Sequence, residues 1–158
     1  AKPGDCLFVS GCLGDSAAGL AVLQGRITPP ESLAAPLLTS FWRPKPALAL
    51  GVSLRGRATA AVDVSDGLLA DVGHIARASD VCVVVESDLV PRSQALSSVA
   101  SREQALTWAL QGGEDYQLCF SLPPGLEPPA GCIRIGSIES GVGVRCDHLG
   151  GIDGYRHF

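Results

Sequence analysis

Apolar residues change their spacing several times along the chain, and each change marks an element. Asp5 to Ser10 carries a short apolar run, predicted as a strand, that ends at Gly11 and Gly14, and Ala17 to Leu23 then reads as a helix. Two apolar segments, Leu33 to Phe41 and Ala47 to Leu54, are separated by Arg43-Pro44-Lys45-Pro46. The prolines break any helix there, so the passage reads as helix, break, helix. From Ala58 a β-rich run leads through Asp63-Val64-Ser65-Asp66-Gly67 into a segment with Leu68, Leu69, Val72, Ile75 and Ala76 on one helical face. Val81 to Val85 predicts a strand, Leu96 to Leu110 a helix, and Tyr116 to Leu122 a strand that follows the Gly112-Gly113 turn. Cys132 to Ile138 and Val142 to Cys146 are expected to form a hairpin through Ser140-Gly141. The irregular alternation predicts an α+β fold in which a mixed β-sheet is covered by helices on one side. Nothing in the chain divides it, so residues 1–158 are expected to form a single domain.

Composition narrows this picture. With 46% apolar and 18% charged residues the chain can build a core of ordinary size. Methionine is absent, even at position 1, and Ala1 to Asp5 has no signal-peptide character, so the chain reads as part of a longer polypeptide. No stretch approaches the roughly 18 apolar residues that span a bilayer, which predicts a soluble protein. The net charge is −4 and the 12 Lys and Arg are scattered, so no footprint for a nucleic acid exists. Six cysteines lack any C-x-x-C pair, and Cys6, Cys82 and Cys119 sit in apolar runs. They read as free thiols in a cytoplasmic protein rather than as a zinc site.

The richest chemistry lies at Asp63 to Gly67. Strand periodicity sends Val62 and Val64 to one face and Asp63 and Ser65 to the other, while Asp66 falls where a helix N-cap is expected. Two carboxylates ~4 Å apart repel by about 4 kcal/mol at an effective dielectric of about 20, a cost that a shared divalent cation reverses. Hard oxygen ligands without His or Cys select Mg²⁺. The alternative is an Asp66 that only caps the helix beside a solvated Asp63. A second cluster, Gly112-Gly113-Glu114-Asp115-Tyr116, has its own structural alternative, a helix C-cap with positive-φ glycines and solvated acids. The Ser10 to Ser16 turn lacks the lysine and the glycine spacing of a phosphate loop and reads as a packing turn.

Taken together, these segments resemble the C-terminal half of the thiamine-monophosphate kinase family, in the AIR synthase-related superfamily. The carriers are Val9-Ser10-Gly11 with Gly14 to Leu20, Val62 to Leu68, His74-Ile75 with Ala78-Ser79, Leu89-Val90-Pro91, Gly112 to Leu118 and Gly154 to Phe158. The resemblance implies an AIR synthase C-terminal-domain-like fold and phosphoryl transfer from ATP to thiamine monophosphate, giving thiamine diphosphate and ADP. It implies Asp63 and Asp66 as Mg²⁺ ligands, Ser65 as an ATP contact, and Glu114 and Tyr155 as contacts to the thiamine substrate. It also implies a partner in an N-terminal half of the same polypeptide, a homodimeric whole enzyme, and negligible activity of this chain alone. Two alternatives stand beside it: a same-fold ATP-dependent enzyme acting on another small anion, and a non-catalytic ligand-binding or dimerising domain.

Overall fold

A computed structural model describes residues 1–149. Strand β1 (Cys6–Val9) leads into helices α1 (Asp15–Leu23), α2 (Glu31–Trp42) and α3 (Leu48–Ser53). Strand β2 (Ala60–Asp63), helix α4 (Leu68–Ser79) and strand β3 (Cys82–Val85) follow, then helices α5 (Gln94–Val99) and α6 (Arg102–Gln111). Strands β4 (Leu118–Leu122), β5 (Ile133–Glu139) and β6 (Gly143–Cys146) complete a six-stranded sheet in the order β2-β4-β1-β5-β3-β6. Every pairing is antiparallel except β3 with β6, so the sheet is mixed as expected.

The expected hairpin of the last two strands does not form. β3 lies between them, antiparallel to β5 and parallel to β6. Its all-apolar Cys-Val-Val-Val sequence is what a strand flanked on both sides requires. The connection therefore steps across the end of β3, where Gly141, at φ 131°, lies so close that a Cβ would stand 3.3 Å from Cys82 Cβ. The single helix expected over 96–110 is instead two. Ala100 is extended, and Ser93 and Ser101 each cap a new helix by accepting an amide hydrogen bond, from Leu96 at 3.0 Å and from Gln104 at 3.2 Å.

One sheet face packs Leu7, Val9, Val83 and Ile135 against the apolar faces of α4 and α6, through Leu68, Val72, Leu106 and Leu110. Ala18, Leu37, Leu96 and Ala105 join α1, α2, α5 and α6 in a further helical cluster. Gly19 permits this layer, since a Cβ there would collide with the Leu37 carbonyl. On the opposite face Phe8 and Phe120 stack as cross-strand partners, ring centroids 5.7 Å apart, beneath Leu50 of α3 and Leu54. Most helices thus lie on one side, and short α3 covers part of the other. Among the described residues no helix is long and apolar enough to cross a membrane.

Gly136 faces Leu7 beside the irregularity in the β1–β5 register, and a Cβ there would collide with the Val84 carbonyl. Gly136→Ala is expected to lower stability by about 1–3 kcal/mol in urea unfolding. Gly51 is different, because it lies inside α3 and a Cβ would meet only Leu118 Cδ1 at 3.5 Å. Gly51→Ala is expected to raise stability by about 0.5–1 kcal/mol in the same measurement.

Candidate functional site

Edge strand β2 delivers the chain to a turn at Val64 to Gly67, immediately before α4. Val64 is fully buried and Asp63 exposed, as the strand alternation predicts, while Val62 and Ser65 are half-buried and Asp66 is exposed. The turn is laced to a second loop, 114–117. Val64 donates its amide to Gln117 O at 2.8 Å and accepts from Tyr116 N at 2.8 Å, and Ser65 O accepts from Glu114 N at 2.9 Å. Gly113 makes this approach possible, since a Cβ there would collide with Ser65 O. Gly67, at φ 111°, lets the turn meet the end of α6, where a Cβ would come within 2.7 Å of Gln111 O.

Asp66 does not cap α4. The N-cap is Gly67, without a side-chain hydrogen bond. The amides of Ser65 and Asp66 instead donate to Asp71 Oδ2, at 2.9 and 3.0 Å, from a side chain one turn into the helix. Asp71 is only 3% exposed. Burial raises its carboxyl pKa, the two amide bonds oppose that shift, and the nearby Asp66 and Asp63 carboxylates add to it. With Asp71 occupying the amides, the Asp66 carboxylate is left to face solvent beside Asp63.

In the second loop the left-handed residues are not the glycines. Gly112 has φ −72°, whereas Glu114 and Tyr116 have φ 67° and 50°. Such backbone costs of order 1–3 kcal/mol per residue and persists only where neighbouring bonds hold it. Here it turns Asp115 inward. Asp115 accepts from Gly14 N at 2.7 Å and Ser16 N at 3.3 Å, capping α1 from about a hundred residues away in sequence. Ser16 Oγ donates to Glu114 O at 2.8 Å, and Gly14 packs against the Ala109 backbone, so the first turn is a packing turn. Glu114 is exposed, and Tyr116 donates its hydroxyl to Glu114 Oε2 at 3.1 Å. That bond and the Glu114 charge raise the Tyr116 pKa, with smaller contributions from Asp63 and Asp66.

Asp63, Ser65, Asp66 and Glu114 therefore meet at one seam, but Asp63 and Glu114 open onto different clefts. Asp63 lines a cleft of 400 Å³ with Tyr116, Leu48, Val52 and Arg55. Glu114 lines one of 330 Å³ with Phe41, Trp108 and Gln111. Tyr155 lies outside the described residues. Among those described, no group of three or more His, Cys, Asp or Glu gathers to enclose a metal. Two exposed carboxylates still fit Mg²⁺, which is commonly held by one or two carboxylates together with substrate phosphates. Sequence reasoning did not single out Asp71 or Asp115 as functional. Asp71 had a signal, an acid in register with Leu68, Val72 and Ile75 on an apolar helical face. Asp115 stood in the Gly112 to Tyr116 cluster, but nothing local shows that it caps α1, because its partners are about a hundred residues away.

Residues 2–125 match the family described as AIR synthase related protein, C-terminal domain, and the chain belongs to that family. Within it the relatives are specific. The chain is 46% identical over 147 residues to the thiamine-monophosphate kinase of Escherichia coli strain K12, covering 92% of this chain and 44% of that protein. It also resembles the crystal structure of thiamine-monophosphate kinase from Stenotrophomonas maltophilia K279a, with 41% identity and a TM-score of 0.85, over 94% of this chain and 51% of that one. AaThiL complexed with AMPPCP and TMP is similar over the whole chain and 52% of its own, with 36% identity and a TM-score of 0.88. The chain thus spans about half the length of the relatives it matches.

Burial, assisted by the neighbouring Asp15 charge, pushes the Asp115 carboxyl up to about 6, against the pull of its two amide bonds. The native chain then holds a proton that the unfolded chain, titrating near 3.8, has released. From this group, stability declines as pH rises from about 4 to about 6 and is level above. Asp115→Asn removes that slope. Across the window, the difference in unfolding free energy between variant and wild type is expected to change by about 2–3 kcal/mol, read by urea unfolding at a series of pH values.

Proposed function

We propose that this chain is the C-terminal part of a cytoplasmic, magnesium-dependent kinase that transfers the γ-phosphoryl group of ATP to thiamine monophosphate. The observation that carries the reading is the turn at Val64 to Asp66. The Val64, Ser65 and Asp66 amides and the Val64 and Ser65 carbonyls are engaged internally, so what the turn offers a ligand is chiefly the side chains of Asp63, Ser65 and Asp66. The similarity to AaThiL complexed with AMPPCP and TMP supports a nucleotide and a thiamine phosphate as the two substrates.

In this reading Asp63 and Asp66 hold Mg²⁺ and Ser65 contacts the nucleotide. When bound, magnesium supplies neutralisation for the crowded phosphates of a loose, in-line transfer. The protein's own contribution is placement: the rigid seam presents two carboxylates and a hydroxyl without reorganisation. No side chain is needed as a base, because the attacking oxygen belongs to a phosphate already largely ionised near neutral pH. Glu114 accepts a hydrogen bond from the thiamine aminopyrimidine or balances its thiazolium charge, and Tyr155 stacks on a thiamine ring. The single domain of residues 1–158 works with an N-terminal half of the same polypeptide in a homodimer, and alone it turns over negligibly.

The test is formation of thiamine diphosphate by the polypeptide that carries this domain, with Asp66→Ala and Asp66→Asn beside it. Asp66→Ala is expected to lose at least about 100-fold in kcat/KM, which corresponds to roughly 3 kcal/mol. Because Asp66 makes no cap, its melting temperature should stay within a few degrees of wild type. Asp66→Asn should regain part of the activity at raised Mg²⁺. A folded wild-type polypeptide without turnover would remove the thiamine substrate from the reading.

A further inference from the structure

We propose that Asp71 is a positioning residue for the proposed cation-holding turn, fixing the backbone from which Asp63, Ser65 and Asp66 project. The inference rests on the magnesium-dependent reading of that turn. Its geometry stands independently: one buried carboxylate oxygen accepts both the Ser65 and Asp66 amides, at 2.9 and 3.0 Å.

Burying a carboxylate is expensive, and an apolar residue at this position of the α4 face would serve the core at less cost. What the carboxylate does instead is pull two consecutive amides inward. The Ser65 carbonyl is meanwhile held by Glu114 N on the opposite side, so the peptide planes of the turn are fixed from both directions. With its amides turned inward the turn directs the Asp63 and Asp66 side chains to solvent, where both are exposed. A strand, turn and helix in this order often use free amides to hold a phosphate. Here the Asp71 carboxyl already occupies the Ser65 and Asp66 amides, so those two are closed to a phosphate, and the turn acts through its side chains and the cation they bind.

The test uses the 158-residue chain with wild-type Asp71, Asp71→Asn and Asp71→Ala. Amide hydrogen exchange at Ser65 and Asp66 is followed by NMR on this chain, and Mg²⁺ binding is read by titration of the longer polypeptide that carries it, with the same variants. Asp71→Ala is expected to speed exchange at both amides and to raise the Mg²⁺ dissociation constant about tenfold. Asp71→Asn keeps an acceptor oxygen in place, so it should retain amide protection and hold the dissociation constant within about threefold of wild type. If Asp71→Ala does not fold, Asp71→Glu replaces it: charge is kept while the oxygen shifts by one methylene, and weakened Mg²⁺ binding is again expected. A folded Asp71→Ala with wild-type exchange or wild-type Mg²⁺ binding overturns the proposal. So does an Asp71→Asn that protects the amides yet binds Mg²⁺ as poorly as Asp71→Ala, because charge rather than position would then be responsible. Absence of Mg²⁺ binding by the longer polypeptide that carries this domain would overturn the metal reading, and amide exchange in the 158-residue chain would still decide whether Asp71 holds the turn.

Discussion

Backbone hydrogen bonds between the turn at 64–66 and the loop at 114–117 are the constraint on which the site depends. They extend the β2–β4 ladder past the end of the strands, where a sheet would ordinarily fray into solvent-bonded loops. Because the lacing uses main-chain atoms, it fixes position while leaving the side chains free to differ. It also explains the glycines, whose missing Cβ atoms let α6, the turn and the loop approach within backbone contact.

Two buried acids complete the frame, and each works on backbone amides rather than on a cation. Asp71 gathers the turn before α4, and Asp115 gathers the start of α1. Neither is solvated, and neither takes part in either of the described ion pairs, Arg102 with Asp88 and Arg145 with Glu139, which lie on the surface. Solvent-exposed pairs of that kind contribute little to stability. The two buried carboxylates are therefore held by dipoles of the main chain, and the exposed acids Asp63, Asp66 and Glu114 stand beside them at the surface.

Much of this was legible in the sequence, and the misses share a cause. The strand into Asp63, the helix from Leu68, the break at Arg43 to Pro46 and the mixed α+β class all follow from local periodicity and proline chemistry. So does the outward placement of Asp63 against a buried Val64. What failed depended on distant partners. The last two strands look like a hairpin until β3, some fifty residues earlier, is inserted between them. Gly112 does end α6, as a cap reading has it, but Ser65 and Ala17 are brought against the glycine pair, and the left-handed geometry falls on Glu114 and Tyr116 instead. Asp66 looks like a cap because the local sequence does not show that Asp71 has already taken the amides.

The placement of β1 carries a consequence for how the molecule is made. It is an inner strand, bonded to β4 through Leu122 to Cys119 and to β5 through Ser137 to Ile133, so both neighbours are made roughly a hundred residues or more after it. On a ribosome, β1 waits with both edges unsatisfied until β4 is made, and with its second edge open until β5 follows, while α1 to α6 can already form local structure. Such non-local pairing makes for slow folding and for a nascent intermediate whose open strand edges invite association. The interval between the first strand and its partners is thus the period in which this domain most needs protection from its own sheet.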